Sequence, residues 1–282
     1  MRIPFDCHVH TRRSPCGHAE ASVADLARRV AAAGIPRWGM ADHLFTSRNV
    51  IDLESGRAEY DALPDRSHVC FAVEVSVLRD WDIAETARDR NVWGWRPGGP
   101  PGELTLYLPE ELCARLGFQY VIAGAHWPLG APMRRAAIVR DYHRQNMFLA
   151  THPQVDIIAH PWWWRTTYIM PCLLPLPFRW QDDFSIIPQS MHDEFSAAVR
   201  EHGKRVELNA ATLLKPKYSA RWHEQYLEFL VRLREDGCRF AVGSDSHSAE
   251  YTAPHGIVPI LEKAGFSQED LWTGPEERTS EK

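Results

Sequence analysis

The 282-residue chain lacks the features that mark a disulfide scaffold, a membrane span or a nucleic-acid binder. Its six cysteines, Cys7, Cys16, Cys70, Cys113, Cys172 and Cys238, are scattered, and none forms a C-x-x-C pair. That excludes a Cys-based structural zinc motif and leaves the thiols reading as reduced, in a cytoplasmic protein. No charged-then-apolar leader stands at the start, which supports the same expectation. No apolar run approaches about 18 residues, so no membrane-spanning helix is expected. Lysine is scarce, with five residues, and the net charge is −5. The basic stripe that long nucleic acids require is missing. No internal repeat or low-complexity tract breaks the chain. What is present instead is 44% hydrophobic residues, enough for a substantial core, together with 14 His and 11 Trp, both clustered.

The first of these clusters organises the rest. Asp6-Cys7-His8-Val9-His10 follows the apolar run Ile3 to Phe5 and reads as a strand. Residues i and i+2 of a strand share a face, so His8 and His10 project together, the beginning of a transition-metal site. Further strands are expected at 37–41, 69–78, 120–125, 155–159, 205–209 and 240–243. Helices are expected at 22–33 (capped by Ser22, stopped by Gly34), 110–116, 133–149, 190–202, 219–236 and 256–264. The segment 44–67 reads as irregular, with a short helix near 55–62. Two stretches rich in Trp, Gly and Pro, 79–106 and 161–189, read as excursions, and the polar residues 275–282 as a tail. Strands alternating with helices about seven times argue for a parallel sheet with crossover helices, either a barrel or an open doubly wound sheet.

Candidate ligands fall at one kind of place. His8, His10, His43, Glu74, His126, His160, Asp245 and His247 all lie at or near the C-terminal ends of expected strands. In a β/α barrel that end carries the active site. Any one of them has a plain alternative: His126 as a hydrogen-bonded core residue, Glu74 as the partner of an arginine, Asp245 as a helix cap. Coincidence at every strand end is the weaker account. A His, Asp and Glu set suits Zn, Mn or Fe. His68, His143, His152, His192, His202, His223 and His255 lie in helices, loops or strand starts and are read as packing or surface residues.

The ordered series D-x-H-x-H, a loop histidine, A-D-H, V-E-V, A-H, A-H-P, E-L-N and S-D-S-H resembles the PHP (polymerase and histidinol phosphatase) family of metal-dependent phosphoesterases, over roughly residues 3–250. The resemblance implies a single distorted (β/α)7 TIM-like barrel domain over 1–274, holding two to three divalent ions, commonly Mn, Fe or Zn. It implies one metal on His8, His10, Asp245 and Glu74; a second on the bridging Glu74 with His126 and His160; and a third on His18, His43 and His247.

Such a site hydrolyses esters with a metal-bridging hydroxide as nucleophile, Glu74 and Asp245 fixing the ions. Asp6 and Asp42 are candidates for orienting ligand imidazoles, and Glu207 for supporting the site or the substrate edge. Arg165 and Lys215, and less so Arg12 and Arg13, are candidates for holding phosphate. Trp127, Trp162, Trp163 and Trp164 follow ligands directly and are candidates for an aromatic substrate rim. The expected substrate is a small phosphorylated metabolite or nucleotide, as mono- or diester. The alternatives are an amidohydrolase-like hydrolase of a C–N or carboxylic ester bond and, less favoured, a non-catalytic metal-stabilised module.

Overall fold

The computed structural model describes residues 1–88, 90–96, 98–132, 134–163, 183–216 and 218–276. Seven parallel strands close into a barrel: β1 (Asp6–Val9), β2 (Trp38–Leu44), β3 (Val69–Arg79), β5 (Val121–Gly124), β6 (Ile157–Ile158), β7 (Arg205–Asn209) and β8 (Arg239–Gly243). They run in the order β2-β1-β8-β7-β6-β5-β3, and β2 pairs with β3 to complete the ring. An eighth strand, β4 (Leu104–Leu106), is antiparallel to the end of β3, with Val77 opposite Leu106 and Arg79 opposite Leu104. The structure therefore takes the barrel branch of the two topologies that the strand–helix alternation allows.

The strands are buried along almost their whole length because both faces are covered. Every residue of β2 and β3 is buried. In β3 the odd positions, Val69, Phe71, Val73, Val75 and Val77, belong to the layer that meets the helices. The even positions Cys70 and Ala72 pack with Phe5, Cys7, Tyr120 and Ala241 in a separate inner cluster. Glu74 continues the inner series. A carboxylate thus enters the barrel through ordinary strand alternation.

The helices are α1 (Val23–Ala32), α2 (Val50–Asp61), α3 (Asp80–Thr86), α4 (Glu110–Leu116), α5 (Arg135–Thr151), α6 (Gln189–Glu201), α7 (Ala210–Leu213), α8 (Ala220–Glu235) and α9 (Val258–Lys263). Ser22 caps α1, its hydroxyl accepting from the Asp25 amide, and Val23, Leu26 and Val30 form the buried stripe. α8 buries Trp222, Tyr226, Phe229, Leu230 and Leu233, spaced for one helical face. α2 runs over half of the stretch expected to be irregular, and begins earlier than the short helix expected near 55–62. Only Leu53 and Gly56 of it are buried, so its apolar signal is thin.

The first excursion is pinned by a fully buried ion pair. Arg79 donates to both oxygens of Asp82 at 2.7 and 2.9 Å and to the carbonyls of Arg96, Gly98 and Pro100. This arginine ties the loop between α3 and β4 to the end of β3. Most of the second excursion, and residues 277–282 of the tail, lie outside the described residues.

Candidate metal centre

Glu74 sits at the middle of the barrel mouth and is 1% exposed. Its Oε2 lies 3.0 Å from His8 Nε2, 3.4 Å from His10 Nε2 and 2.8 Å from His43 Nδ1. Its Oε1 lies 3.1 Å from His126 Nε2 and 3.3 Å from His160 Nε2. Five imidazoles from four strand ends, two of them from β1, therefore surround one carboxylate and divide between its two oxygens. Parallel register contributes directly, because His43 of β2 is the pairing partner of Glu74 on β3. His8 and His10 both turn inward because the β1 register shifts between Asp6 and Val9, the mark of a bulge. Asp245 and His160 hold backbone φ angles of 52° and 26°. Such left-handed conformations are costly for non-glycine residues and are tolerated where a site requires them.

The outer contacts decide the protonation pattern. Glu207 is 0% exposed, and its Oε1 accepts from His8 Nδ1 at 2.8 Å. Its Oε2 accepts from the His160 amide at 2.8 Å and from Asn209 Nδ2 at 3.1 Å. Room for it is made at Gly243, where a Cβ would lie 2.0 Å from Oε1. His247 Nδ1 donates to the Asp245 carbonyl at 2.8 Å, and His126 Nδ1 meets Ser76 Oγ at 3.0 Å. With Nδ1 of His8 carrying the proton, its Nε2 presents a lone pair to the lone pairs of Glu74. His10 Nδ1 and His160 Nδ1 are buried without a hydrogen-bond partner. Carboxylates and imidazole lone pairs that converge in a buried cluster need cations among them, as protons on the imidazoles or as metal ions, and this His, Glu and Asp donor set fits divalent metal ions.

The charges agree. Burial opposes ionisation of Glu74, yet His43, His8 and His126 hold its carboxyl well below the usual range. Burial likewise opposes ionisation of Asp245, and His8, His10 and His247 overcome it. Burial, with His247 and His43 beside it, keeps His10 well below the ordinary imidazole value.

Three groups of donors lie within 4.8 Å of one another: His8, His10 and Asp245; Glu74, His126 and His160; and His10, Cys16, His43 and His247. The first brings together three of the four residues expected for it, with Glu74 Oε2 3.0 Å from His8, and the second all three. The third differs from expectation. His18 is exposed, its Nδ1 accepts from the Glu20 amide at 3.2 Å, and it is not in the cluster. The loop after β1 folds into two turns, Ser14 N to Thr11 O and Gly17 N to Ser14 O. These turns present Cys16 to the site and carry His18 past it.

Asp6 and Asp42 are also corrected, because neither touches an imidazole. Asp6 accepts from the backbone amides of His8 and Ser244 and from Tyr251 Oη, tying β1 to β8. Asp42 accepts from the amide and hydroxyl of Thr11, fixing the turn after His10. Burial pushes their carboxyls up to about 6 and about 7. Arg12 and Arg13 pair with Glu59 and do not reach the mouth.

Above the cluster opens a cavity of about 550 Å3. Trp127, Trp163 and Lys215 line it as expected, with the Lys215 ammonium 5.6 Å from the Trp163 ring centre. Trp162 is instead buried against His143 and His192, where its ring packs the helices. Trp164 and Arg165 lie outside the described residues. The cavity also takes Phe45, Trp93 and Trp95, which sequence reading missed. Trp95 stacks on Trp127 and donates to the Pro128 carbonyl at 3.1 Å. The Trp-rich composition of the first excursion was the available signal for these two tryptophans.

No protein-family model matches the chain. A probable phosphatase of Acetivibrio thermocellus is 25% identical over 247 residues, covering 88% of this chain and 80% of the relative. The crystal structure of histidinol phosphate phosphatase from Lactococcus lactis subsp. lactis, complexed with Zn, L-histidinol and phosphate, matches with a TM-score of 0.55. That match spans 93% of this chain and 94% of that one at 14% identity, a likeness of fold. No helix among the described residues is long and apolar enough to cross a membrane.

Proposed function

We propose that this chain is a metal-dependent phosphoesterase of the PHP kind, acting on a small organic phosphate whose leaving group is flat or apolar. The observation that carries the reading is Glu74, whose two oxygens are shared among five imidazoles at the mouth of a parallel barrel. The name of the Acetivibrio relative and the phosphate in the Lactococcus structure support the same chemistry. Bound divalent ions would lower the pKa of a coordinated water from about 15.7 towards about 7 and neutralise phosphoryl charge. His8, His10, Asp245 and Glu74 would hold one ion, and Glu74, His126 and His160 a second. Glu74 turns one oxygen towards His8 and His10 and the other towards His126 and His160, and so would serve both ions. Glu207 keeps His8 in the tautomer that points its free lone pair inward. Lys215 supplies a cation to the phosphate oxygens. Trp93, Trp95, Trp127, Trp163 and Phe45, which line the cavity, exclude water and stack the organic group.

The experiment is hydrolysis of p-nitrophenyl phosphate, its bis-ester and small alkyl phosphates, with and without chelator. The reading expects chelator-sensitive turnover, and an increased KM for the aryl ester in Trp163→Ala with alkyl phosphate turnover retained. A metal-loaded protein that cleaves a carboxylic ester or amide but no phosphate ester would replace this reading with the amidohydrolase-like one.

A further inference from the structure

The loop after β1 puts a sulfur where the resemblance asks for an imidazole. Cys16 Sγ lies within 4.8 Å of a donor nitrogen on each of His10, His43 and His247. His18, two residues on, is exposed and turned to its own backbone. The loop geometry is tightly constrained. A Cβ at Gly17 would lie 1.8 Å from the Thr11 carbonyl oxygen, so only glycine permits the close turn that leaves Cys16 facing inward. Ser14 is buried, and its Oγ accepts from the His43 amide at 3.4 Å. The Ser14 hydroxyl lies 3.2 Å from the Cys16 sulfur, and either atom can be the donor. A hydroxyl donating to sulfur is the arrangement that suits a thiolate acceptor. Imidazole nitrogens beside a thiolate suit Zn2+ and its spectroscopic surrogate Co2+ better than the harder Mn2+.

We propose that Cys16, not His18, completes the third metal position as a thiolate, with His43 and His247 and with His10 shared from the first, and that this position takes a zinc-class ion. Binding transfers the thiol proton to solvent as the sulfur–metal bond forms. The proposal rests on the phosphoesterase reading for the existence of the metal centre and goes beyond it in the identity of the donor.

The test is the absorption spectrum of the full chain reconstituted with Co2+. The wild type and His18→Ala should show a near-ultraviolet thiolate-to-cobalt charge-transfer band, and Cys16→Ser should lose it along with one bound ion per chain. Bound cobalt should also protect Cys16 from alkylation, followed by peptide mass mapping of the wild type, a readout that needs no variant. Visible cobalt bands without the sulfur band, an unprotected Cys16, or loss of the ion in His18→Ala but not in Cys16→Ser would overturn the thiolate assignment and leave the metal centre standing. No bound cobalt at all would overturn both.

Discussion

Replacing Glu207 by Gln is the most revealing single change, because it alters one charge and almost no volume. Three donors converge on this buried carboxylate: His8 Nδ1, the His160 amide and Asn209 Nδ2. A glutamine has one oxygen to offer them. If that oxygen faces His160 and Asn209, the amide nitrogen faces His8 and drives the imidazole proton onto Nε2, the atom 3.0 Å from Glu74. His8 then ceases to be a ligand. If the oxygen faces His8, the amide opposes two donors in a site with no exposure, at about 1–3 kcal/mol for each group left unsatisfied. Either way the metal position built on His8 weakens, and loss of a supporting group of this kind costs roughly 10–100-fold in metal affinity. Competition titration with a chromophoric chelator, alongside a circular dichroism check of the fold, measures this. Native affinity and stoichiometry in Glu207→Gln would refute the argument that Glu207 sets the His8 tautomer.

Three further outcomes follow from particular contacts. Glu74→Ala should fold, bind less metal and lose ester hydrolysis; full activity by the same assay would sink the role given to that carboxylate. Arg79→Met leaves the buried Asp82 carboxylate without its guanidinium, held by the backbone amides of residues 79 and 96, at about 3–5 kcal/mol of stability, and should raise KM for aryl esters because Trp93 and Trp95 ride on the loop it clamps; an unchanged denaturation midpoint would contradict this. His192 is 9% exposed among Trp162, Phe184 and Phe229, and burial lowers it to about 4. The fold therefore favours neutral imidazole: its share of stability is whole above about pH 6.5 and is lost towards pH 4, by about 3 kcal/mol. His192→Phe should gain on the wild type as pH falls through that window, and a pH-independent difference in melting would rule the account out.

The parts of this protein legible in its sequence are those carried by periodicity. The inward phase of β3 could be read from Cys70, Ala72 and Glu74, and the strand-end positions of His43, His126 and His160 followed from where apolar runs stop. What was not legible depends on irregular backbone. One residue, Gly17, separates Cys16 from His18, and only the paired turns anchored on Thr11 decide which of them faces the mouth. Asp6 and Asp42 sit beside ligands in sequence, yet their carboxylates serve backbone amides on neighbouring segments, a contact that adjacency cannot foretell. Trp162 and Trp163 are successive residues that part company because Trp162 adopts φ 64° and turns into the helical layer. α2 was expected only in part because its buried face consists of Leu53 and Gly56.

The central claim is that the cluster around Glu74 binds divalent metal and uses it on phosphate esters. Elemental analysis of the purified protein, coupled to p-nitrophenyl phosphate turnover as metal is stripped and then returned in counted equivalents, tests it most directly. The account predicts up to three ions per chain, one for each donor group, with hydrolysis rising as the positions fill. A chain that binds no metal, or one fully loaded that turns over no phosphate ester, would contradict it.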